Sequence, residues 1–375
     1  MNVLIAPDKF KGTLTANAVA EAIARGWQKS RPQDSLTLLP MSDGGDGFGE
    51  VLGVLLGAKI QKIKTVDAAH RPCDANWWWE PKTKTAVIES ANVIGLAKLP
   101  PGKFHPFELD TFGLGAVIRA AAKKGARRCI IGIGGSATND GGFGVARALG
   151  WKFWNRDDAL IEQWIELDRL ARISRPARTR WFKELIVAVD VQNPLLGPRG
   201  ATRVYGPQKG VRPEDFAKAE KCLRTLANVC SGGLRPPPSK QNFATTPGAG
   251  AAGGLGFGLL AFLGAKAESG FSLFAKHSNL HQHLKAADLV ITGEGCIDQS
   301  TSMGKGAGTI ALECAKKKIP CIAFAGDIRA QNKPVKIFTE VYALTNLTTL
   351  QNAKAAPAKW LEKLAERTAR KCDSA

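Results

Sequence analysis

The chain has 375 residues, of which 44% are hydrophobic, and this length suits two domains better than one. Lys and Arg number 52 against 33 Asp and Glu, which gives a formal net charge of +19, and no apolar run is long enough to span a membrane. The longest basic run covers only residues 316–318, without an arginine-rich arm or an RNA-binding aromatic motif. The charge therefore favours a basic, solvated surface over nucleic-acid binding, although a nonenzymatic nucleic-acid-binding protein stays an alternative.

Short apolar segments followed by turn residues recur along the chain and predict buried strands. They are NVLIAPD from Asn2, SLTLLPMSDGG from Ser35, TAVIES from Thr85, RCIIGIGG from Arg128, LIVAVDVQNP from Leu185, DLVITGEG from Asp288 and PCIAFAGD from Pro320. Helical patterns lie between several of them, at residues 16–28, 113–124 and 306–317. This alternation predicts an α/β fold with a mostly parallel sheet, in which ligands gather beyond the carboxyl ends of the strands.

The first predicted strand is followed by PDKFKGTLTA, which carries two lysines. Lys9 and Lys11 stand where a phosphate group would need positive charge, and the alternative is a pair of surface lysines. Thr13 or Thr15 is suited to cap the helix that follows.

The second predicted strand runs into SDGGDG, which places Asp43 and Asp46 on one glycine-rich turn. Carboxylate oxygens on such a turn suit Mg²⁺, which takes one or two protein carboxylates and keeps several waters. A simple turn with solvated acids is the alternative. The pattern is not an EF-hand, because the later ligand positions are absent.

The segment IIGIGGSATNDGG, which begins at Ile130, is the most glycine-rich strand end in the chain. Its GIGGSA portion matches a dinucleotide fingerprint, which leaves an NAD(P)-dependent hydroxy-acid dehydrogenase as an alternative function. In that fingerprint, however, the helix begins within the glycines, whereas here it can begin only near Phe143. Small residues with exposed N–H groups instead predict an anion-binding loop for phosphate or carboxylate, made by Gly134, Gly135, Ser136, Thr138, Asn139 and Asp140.

A third group of charged residues lies in GEGCIDQSTSMGKG, from Gly293 to Gly306. Glu294, Asp298 and Lys305 occur there in an order that fits a site for a metal ion and a phosphate group. The eight cysteines contain no C-x-x-C pair, and the N-terminal apolar run is too short for a signal peptide. A reduced, cytoplasmic protein is therefore expected.

Taken in order along the chain, eight motifs resemble those of the type I glycerate kinase family. They are IAPDKFKGTLTA, PMSDGGDG, FELDTFGLGAVI, IGIGGSATNDGG, DVQNPLLG, GPQKG, PGAGAAGGLGFGLLAFLGA and DLVITGEGCID with the following T and GK. The resemblance implies ATP-dependent, Mg²⁺-assisted phosphorylation of D-glycerate, and bacterial members of this type are associated with 2-phospho-D-glycerate as the product.

The resemblance also implies two α/β domains with the active site in the cleft between them. One is expected to be flavodoxin-like and discontinuous, from residues 1–65 and 285–375, and the other to be a mixed α/β domain from residues 66–284. In this scheme Lys9, Lys11 and Lys305 supply charge for phosphate or carboxylate, and Asp190 orients the acceptor hydroxyl or accepts its proton. Metal ligands are then expected from Asp43, Asp46, Glu294 and Asp298.

Three positions depart from the family's usual pattern. Cys296 stands where the family has an arginine, Asp46 where it has a glutamate, and Ser300 where it has a glutamine. The shorter carboxylate of Asp46 remains compatible with metal binding. Cys296 removes a permanent cation from its turn, which leaves the ligand affinity of this turn open.

Overall fold

The computed structural model describes residues 1–232, 242–302, 306–329 and 337–372. These residues form thirteen strands, β1 to β13 in chain order: Asn2–Ile5, Ser35–Leu38, Lys59–Val66, Pro72–Glu80, Thr85–Glu89, Arg128–Gly132, Lys152–Asn155, Leu170–Ser174, Glu184–Ala188, Lys266–Glu268, Leu289–Ile297, Cys321–Ile328 and Glu340–Ala343. They also form fourteen α-helices, α1 to α14: Ala16–Ser30, Phe48–Leu55, Ala91–Ile94, Leu114–Lys123, Phe143–Ala148, Ala201–Tyr205, Phe216–Ser231, Ala251–Leu263, Gly270–His277, Leu280–Ala286, Gln299–Ser302, Ala307–Lys317, Leu350–Ala355 and Pro357–Lys371. Among the described helices, none has the length and apolar character needed to cross a membrane.

The chain folds into two compact units, one made of Met1–Asp43 with Phe271–Ala375 and the other of Gly44–Gly270. The stretch from residue 44 to β3 belongs to the second unit because β3 pairs with β4 along its whole length. The second compact unit thus begins at Gly44 and ends just before Phe271. The domain boundaries expected near residues 65 and 285 stay a prediction.

The first unit contains a five-stranded sheet in the order β2-β1-β11-β12-β13, in which every neighbouring pair is parallel. Counted within the unit, this is the strand order 2-1-3-4-5 of the flavodoxin-like fold, as expected. Its topological switch point lies between β1 and β11, where a ligand is expected beyond the strand ends.

Helix α1 shows how the sequence builds this unit. Thr15 caps the helix by accepting a hydrogen bond from the N–H of Ala18 (3.2 Å). Val19, Ile23 and Trp27, spaced four residues apart on one face, are fully buried. Helix α1 packs against α14. At Gly26 the two helices are so close that a Cβ there would lie 2.1 Å from the carbonyl oxygen of Glu362.

The second unit contains a six-stranded mixed sheet in the order β10-β9-β6-β5-β4-β3. The four strands β10, β9, β6 and β5 are parallel, whereas β4 and β3 join as antiparallel strands. Strands β7 and β8 form a separate antiparallel pair. The mixed α/β character expected for this part of the chain is confirmed, and the mostly parallel arrangement holds for the first unit more strictly than for the second.

All seven strands predicted from apolar segments are present, as β1, β2, β5, β6, β9, β11 and β12. The three predicted helices are α1, α4 and α12. The WWW segment, residues 77–79, lies in β4, where the ring of Trp78 packs against α2 so closely that a Cβ on Gly49 would lie 2.0 Å from it. Trp77 and Trp78 are 3% and 6% exposed, which makes them packing residues.

Candidate functional site

In the second unit the glycine-rich loop leaves the carboxyl end of β6 and leads into α5, which begins at Phe143 as predicted. Gly135, Gly141 and Gly142 have φ values of +75°, +64° and +76°, a region that L side chains rarely adopt. The loop therefore turns twice before its helix begins, and the dinucleotide fingerprint does not describe it.

The SDGGDG turn packs directly on this loop. The N–H of Gly134 donates to the carbonyl of Gly44 (3.2 Å), and a Cβ on Gly134 would lie 2.5 Å from the Cα of Gly45. The carboxylate of Asp46 lies against Gly135, since a Cβ there would meet its Oδ1 at 1.6 Å. The structure thus brings Asp46 and the predicted anion-binding loop together.

Glu89, at the end of β5, positions the same turn. Its carboxylate oxygens accept the N–H groups of Gly47 (2.8 Å) and Gly49 (3.0 Å) at the start of α2. A carboxylate at a helix N-terminus satisfies backbone donors that the helix itself leaves unpaired. Glu89 was absent from the predicted site because nothing in its local sequence marks it as more than a strand residue.

A buried lysine lies behind the loop. The Nζ of Lys209 donates to the carbonyl of Thr138 (2.6 Å) and to the Oγ of Ser136 (3.1 Å), and the side chain is only 6% exposed. Burial lowers the pKa of Lys209 to about 7, while the negative charge of Asp140 raises it. Lys209 also lines a cavity of about 680 Å³ together with Leu96, whose N–H donates to the carbonyl of Gly135.

Asp140 holds the loop in shape. Its Oδ2 accepts the N–H and hydroxyl of Thr111 (3.0 and 2.7 Å) and the N–H of Gly144 (2.8 Å), and its Oδ1 accepts the N–H of Gly142 (3.2 Å). Burial and the nearby Asp110 raise the pKa of Asp140 to about 6, against these hydrogen bonds. A direct contact of Asp140 with phosphate or substrate stays a prediction.

Two polar groups of the loop have no hydrogen-bond partner within the described residues, namely Thr138 Oγ1 and Asn139 Oδ1. The amide nitrogen of Asn139 donates to Thr202 (3.0 Å), and the Oγ of Ser136 donates to the carbonyl of Ala252 (3.0 Å). Buried polar atoms without a partner are uncommon in folded proteins. Their presence in this loop suits a site that a polar ligand completes.

The motif PGAGAAGGLGFGLLAFLGA, residues 247–265, packs against the loop by backbone contact at Gly253 and Gly258. A Cβ on Gly253 would lie 1.9 Å from the carbonyl oxygen of Thr138, and one on Gly258 would lie 2.6 Å from the Cα of Gly142. Ala252 has a φ of +56°, which is unfavourable for a residue with a side chain. The glycines of this motif are required by close packing.

Asp190 follows β9, the strand beside β6, so parallel pairing places its side chain at the same sheet edge as the loop. The hydroxyl of Ser269 donates to its Oδ1 (2.5 Å). A Cβ on Gly44 would lie 3.2 Å from the carbonyl of Ala188, which places the SDGGDG turn at this edge too. Ser269 therefore fixes the orientation of the carboxylate that was assigned to the acceptor hydroxyl.

In the first unit a group of acids lies at the switch point between β1 and β11. Asp8 is 9% exposed, its N–H donates to the carbonyl of Gly293 (2.8 Å), and its Oδ1 accepts the N–H of Lys9 (2.7 Å). A Cβ on Gly306 would lie 2.9 Å from Glu294 Oε2 and 3.6 Å from Asp8 Oδ2, so both carboxylates face the start of α12. Asp8 was not among the predicted site residues.

Burial, together with the carboxylates of Asp8, Asp298 and Asp43, raises the pKa of Glu294 to about 8. The hydroxyl of Thr301 donates to Glu294 Oε1 (2.5 Å), and this hydrogen bond lowers the pKa of Glu294. In the described residues, no three His, Cys, Asp or Glu side chains stand close enough together to hold a metal ion as placed. The acids around Glu294 nevertheless offer only carboxylate oxygens, and their negative charges repel one another. Mg²⁺ prefers oxygen ligands of this kind.

The predicted cationic residues are distributed as follows. Lys9 and Lys11 lie after β1, and a Cβ on Gly295 would lie 3.0 Å from the backbone nitrogen of Lys11. Lys305 lies outside the described residues.

Cys296 lies in β11 beside Asp327 in β12. Burial and the neighbouring carboxylates raise the pKa of its thiol, while Arg329 lowers this pKa.

A sequence profile described as the glycerate kinase family matches residues 3–373 of the chain. The chain belongs to the glycerate kinase family. A glycerate kinase of Halalkalibacterium halodurans is 39% identical over 330 residues, covering 87% of this chain and 85% of its own. The glycerate 2-kinase of Escherichia coli is 37% identical over 332 residues, covering 88% and 86% of the two chains.

A solved structure supports the same assignment. The crystal structure of a putative glycerate kinase 2 from Salmonella typhimurium matches with a TM-score of 0.80 and 32% identity, covering 100% of this chain and 98% of that one. The family and fold inferred from the motif order are therefore confirmed, and the protein is an enzyme of this phosphotransferase family.

Proposed function

We propose that this member of the glycerate kinase family transfers the γ-phosphoryl group of ATP to the 2-hydroxyl of D-glycerate, giving 2-phospho-D-glycerate and ADP. The match to the family over residues 3–373 carries the proposal, and a relative of similar length is named a glycerate 2-kinase. Neither a dehydrogenase nor a nucleic-acid-binding protein is favoured by the loop geometry or by these relatives.

The anion-binding part of the proposal rests on the glycine loop. Backbone N–H groups, the hydroxyl of Thr138 and the ammonium group of Lys209 behind them offer donors to an oxygen-rich ligand. Phosphoryl transfer depends on such positioning and charge stabilisation, because the transferred group does little covalent chemistry with the protein.

In the proposed reaction the hydroxyl oxygen of glycerate forms a bond to the γ-phosphorus as the bond from that phosphorus to the ADP oxygen breaks. The proton of the hydroxyl passes to Asp190, whose carboxylate is oriented by Ser269. Lys9, Lys11 and Lys305 are proposed to pair with phosphate or with the glycerate carboxylate.

Mg²⁺ is part of the proposal because the carboxylates of Asp8, Asp43 and Asp298 lie close enough to Glu294 to raise its pKa, and a divalent cation would offset this cluster of negative charge. Asp8, Asp43, Glu294 and Asp298 would hold the ion in the first unit, and Asp46, in the second unit, stays a separate proposed metal ligand. Bound there, the ion would offset the negative charge of the phosphates. A cytoplasmic location is also proposed, since none of the eight cysteines, all within the described residues, forms a disulfide.

The direct test is an ADP-release assay with ATP over a panel of small hydroxy acids, including both enantiomers of glycerate, with and without Mg²⁺. We expect Mg²⁺-dependent turnover with D-glycerate, and phosphorus NMR of the product is expected to show the 2-phosphate. Failure to release ADP with D-glycerate contradicts the function, whereas a product phosphorylated only at the 3-hydroxyl contradicts the regiochemistry alone.

A further inference from the structure

A second large cavity lies in the second unit, away from the glycine loop. Its volume is about 820 Å³, within the range of small-molecule sites.

The cavity lies at the amino-terminal ends of the strands, whereas the glycine loop and Asp190 lie beyond their carboxyl ends. Arg128 and Glu184 begin β6 and β9, and Lys266 begins β10, whereas the glycine loop and Asp190 follow the ends of β6 and β9. At about 3.3 Å per residue, a five-residue strand separates its two ends by roughly 13–16 Å. A ligand in this cavity is therefore distinct from one bound at the loop.

The lining is strongly cationic. It contains six basic residues, Arg127, Arg128, Arg175, Arg180, Lys183 and Lys266, and a single acid, Glu184. The acid is paired with Arg128 (Nε to Oε2, 2.9 Å). Within the described part of the chain, the other five have no carboxylate within ion-pair distance. A concave wall of one charge sign focuses its potential on the enclosed space and attracts a ligand of opposite charge.

We propose that this cavity is a second binding site, for a small polyanion that carries at least two phosphate groups. Inorganic polyphosphate and a nucleoside polyphosphate share this chemistry. The concave shape and small volume favour them over nucleic acid, which binds to extended basic surfaces. This site accounts for part of the basic excess that the kinase reaction leaves unexplained.

Titration calorimetry on the full chain with sodium tripolyphosphate tests the proposal. The variant R175Q/R180Q removes two exposed guanidinium groups from the cavity, and R156Q/R169Q removes two exposed ones elsewhere in the same unit, so both lose equal charge. We expect R175Q/R180Q to weaken one class of tripolyphosphate site by about tenfold or more, and the control to leave it unchanged.

The kinase rate with saturating ATP and D-glycerate, without added tripolyphosphate, should be equal in all these variants, because none of the substituted residues belongs to the candidate site. Parallel titrations with pyrophosphate and with ATP show whether the base contributes to affinity. Equal tripolyphosphate binding by wild type and R175Q/R180Q overturns the proposal. Equal weakening of tripolyphosphate binding in R156Q/R169Q also overturns it. The same holds if R175Q/R180Q weakens the binding of an RNA oligonucleotide but not that of tripolyphosphate.

Discussion

The Nζ of Lys209 lies 2.6 Å from the carbonyl oxygen of Thr138, a contact between residues 71 positions apart in the chain. The same ammonium group donates to the hydroxyl of Ser136 (3.1 Å). One buried cation thus joins the GPQKG segment to the glycine loop and sets the orientation of two of its residues. This relationship makes Lys209 the sharpest test of the loop's role.

Lys209→Met should keep most of the side-chain volume and remove both hydrogen bonds. We expect kcat/KM for the kinase reaction to fall about ten- to hundredfold, because charge-assisted hydrogen bonds no longer hold the loop. The ADP-release assay measures this, with the exposed Lys152→Met in β7 as the control. Wild-type kcat/KM in a folded Lys209→Met protein contradicts the role of Lys209.

Lys209 also gives the stability of the protein a characteristic pH dependence. Because burial lowers its pKa from 10.5 to about 7, the unfolded chain binds more protons than the native chain between these values. The free energy of unfolding should therefore rise with pH across this window, by a total on the order of 5 kcal/mol from this group. Urea denaturation of wild type and Lys209→Met at about pH 7 and about pH 9 measures the slope. Equal slopes in the two proteins mean that Lys209 keeps its ordinary pKa.

Gly135→Ala separates steric conflict from backbone strain. A Cβ there would overlap the carboxylate of Asp46, whereas Gly125, at φ +96°, has nothing within 4 Å of its Cβ position. Both substitutions strain the backbone, by about 1 kcal/mol or more. We expect only Gly135→Ala to abolish most of the kinase activity and to lose clearly more stability in chemical denaturation. Similar activity and stability in the two variants contradict the close packing of Asp46 on Gly135.

Asp190→Asn removes the proposed proton acceptor but keeps its shape. We expect kcat to fall about a hundredfold to ten-thousandfold with little change in ATP affinity, as for loss of a general base. Ser269→Ala, which removes the hydroxyl that orients Asp190, should lower kcat by a smaller factor. Steady-state kinetics and ATP titration distinguish the two effects. An Asp190→Asn enzyme with normal kcat shows that another group accepts the proton.

Asp43→Asn tests the acid cluster of the first unit. A neutral amide binds Mg²⁺ more weakly than a carboxylate, so the Mg²⁺ concentration for half-maximal rate should rise about tenfold. Glu21→Gln, on the exposed face of α1, removes the same charge without touching the cluster and serves as the control. An unchanged Mg²⁺ dependence in Asp43→Asn removes this residue from the proposed ligands.

The sequence by itself determined the strands and the starts of the functional loops. Apolar segments such as TAVIES are buried along their whole length as β5, and α5 begins at Phe143 because glycines and Asn139-Asp140 prevent an earlier start. These signals act within a few residues, so they can be seen without the fold. The order of motifs further identified the family that the comparisons confirm.

Tertiary structure alone decided which distant groups meet. Strand order, the antiparallel addition of β4 and β3, and the packing of Asp46 on Gly135 depend on contacts that local periodicity does not encode. The motif GPQKG was recognised in the sequence, but no role was assigned to its Lys209, and only burial beside Thr138 gives this lysine a lowered pKa and a place in the site. The physical reason is that burial and hydrogen bonding between remote residues arise from the packing of whole elements, whereas turns and strand propensity arise from neighbours in the chain.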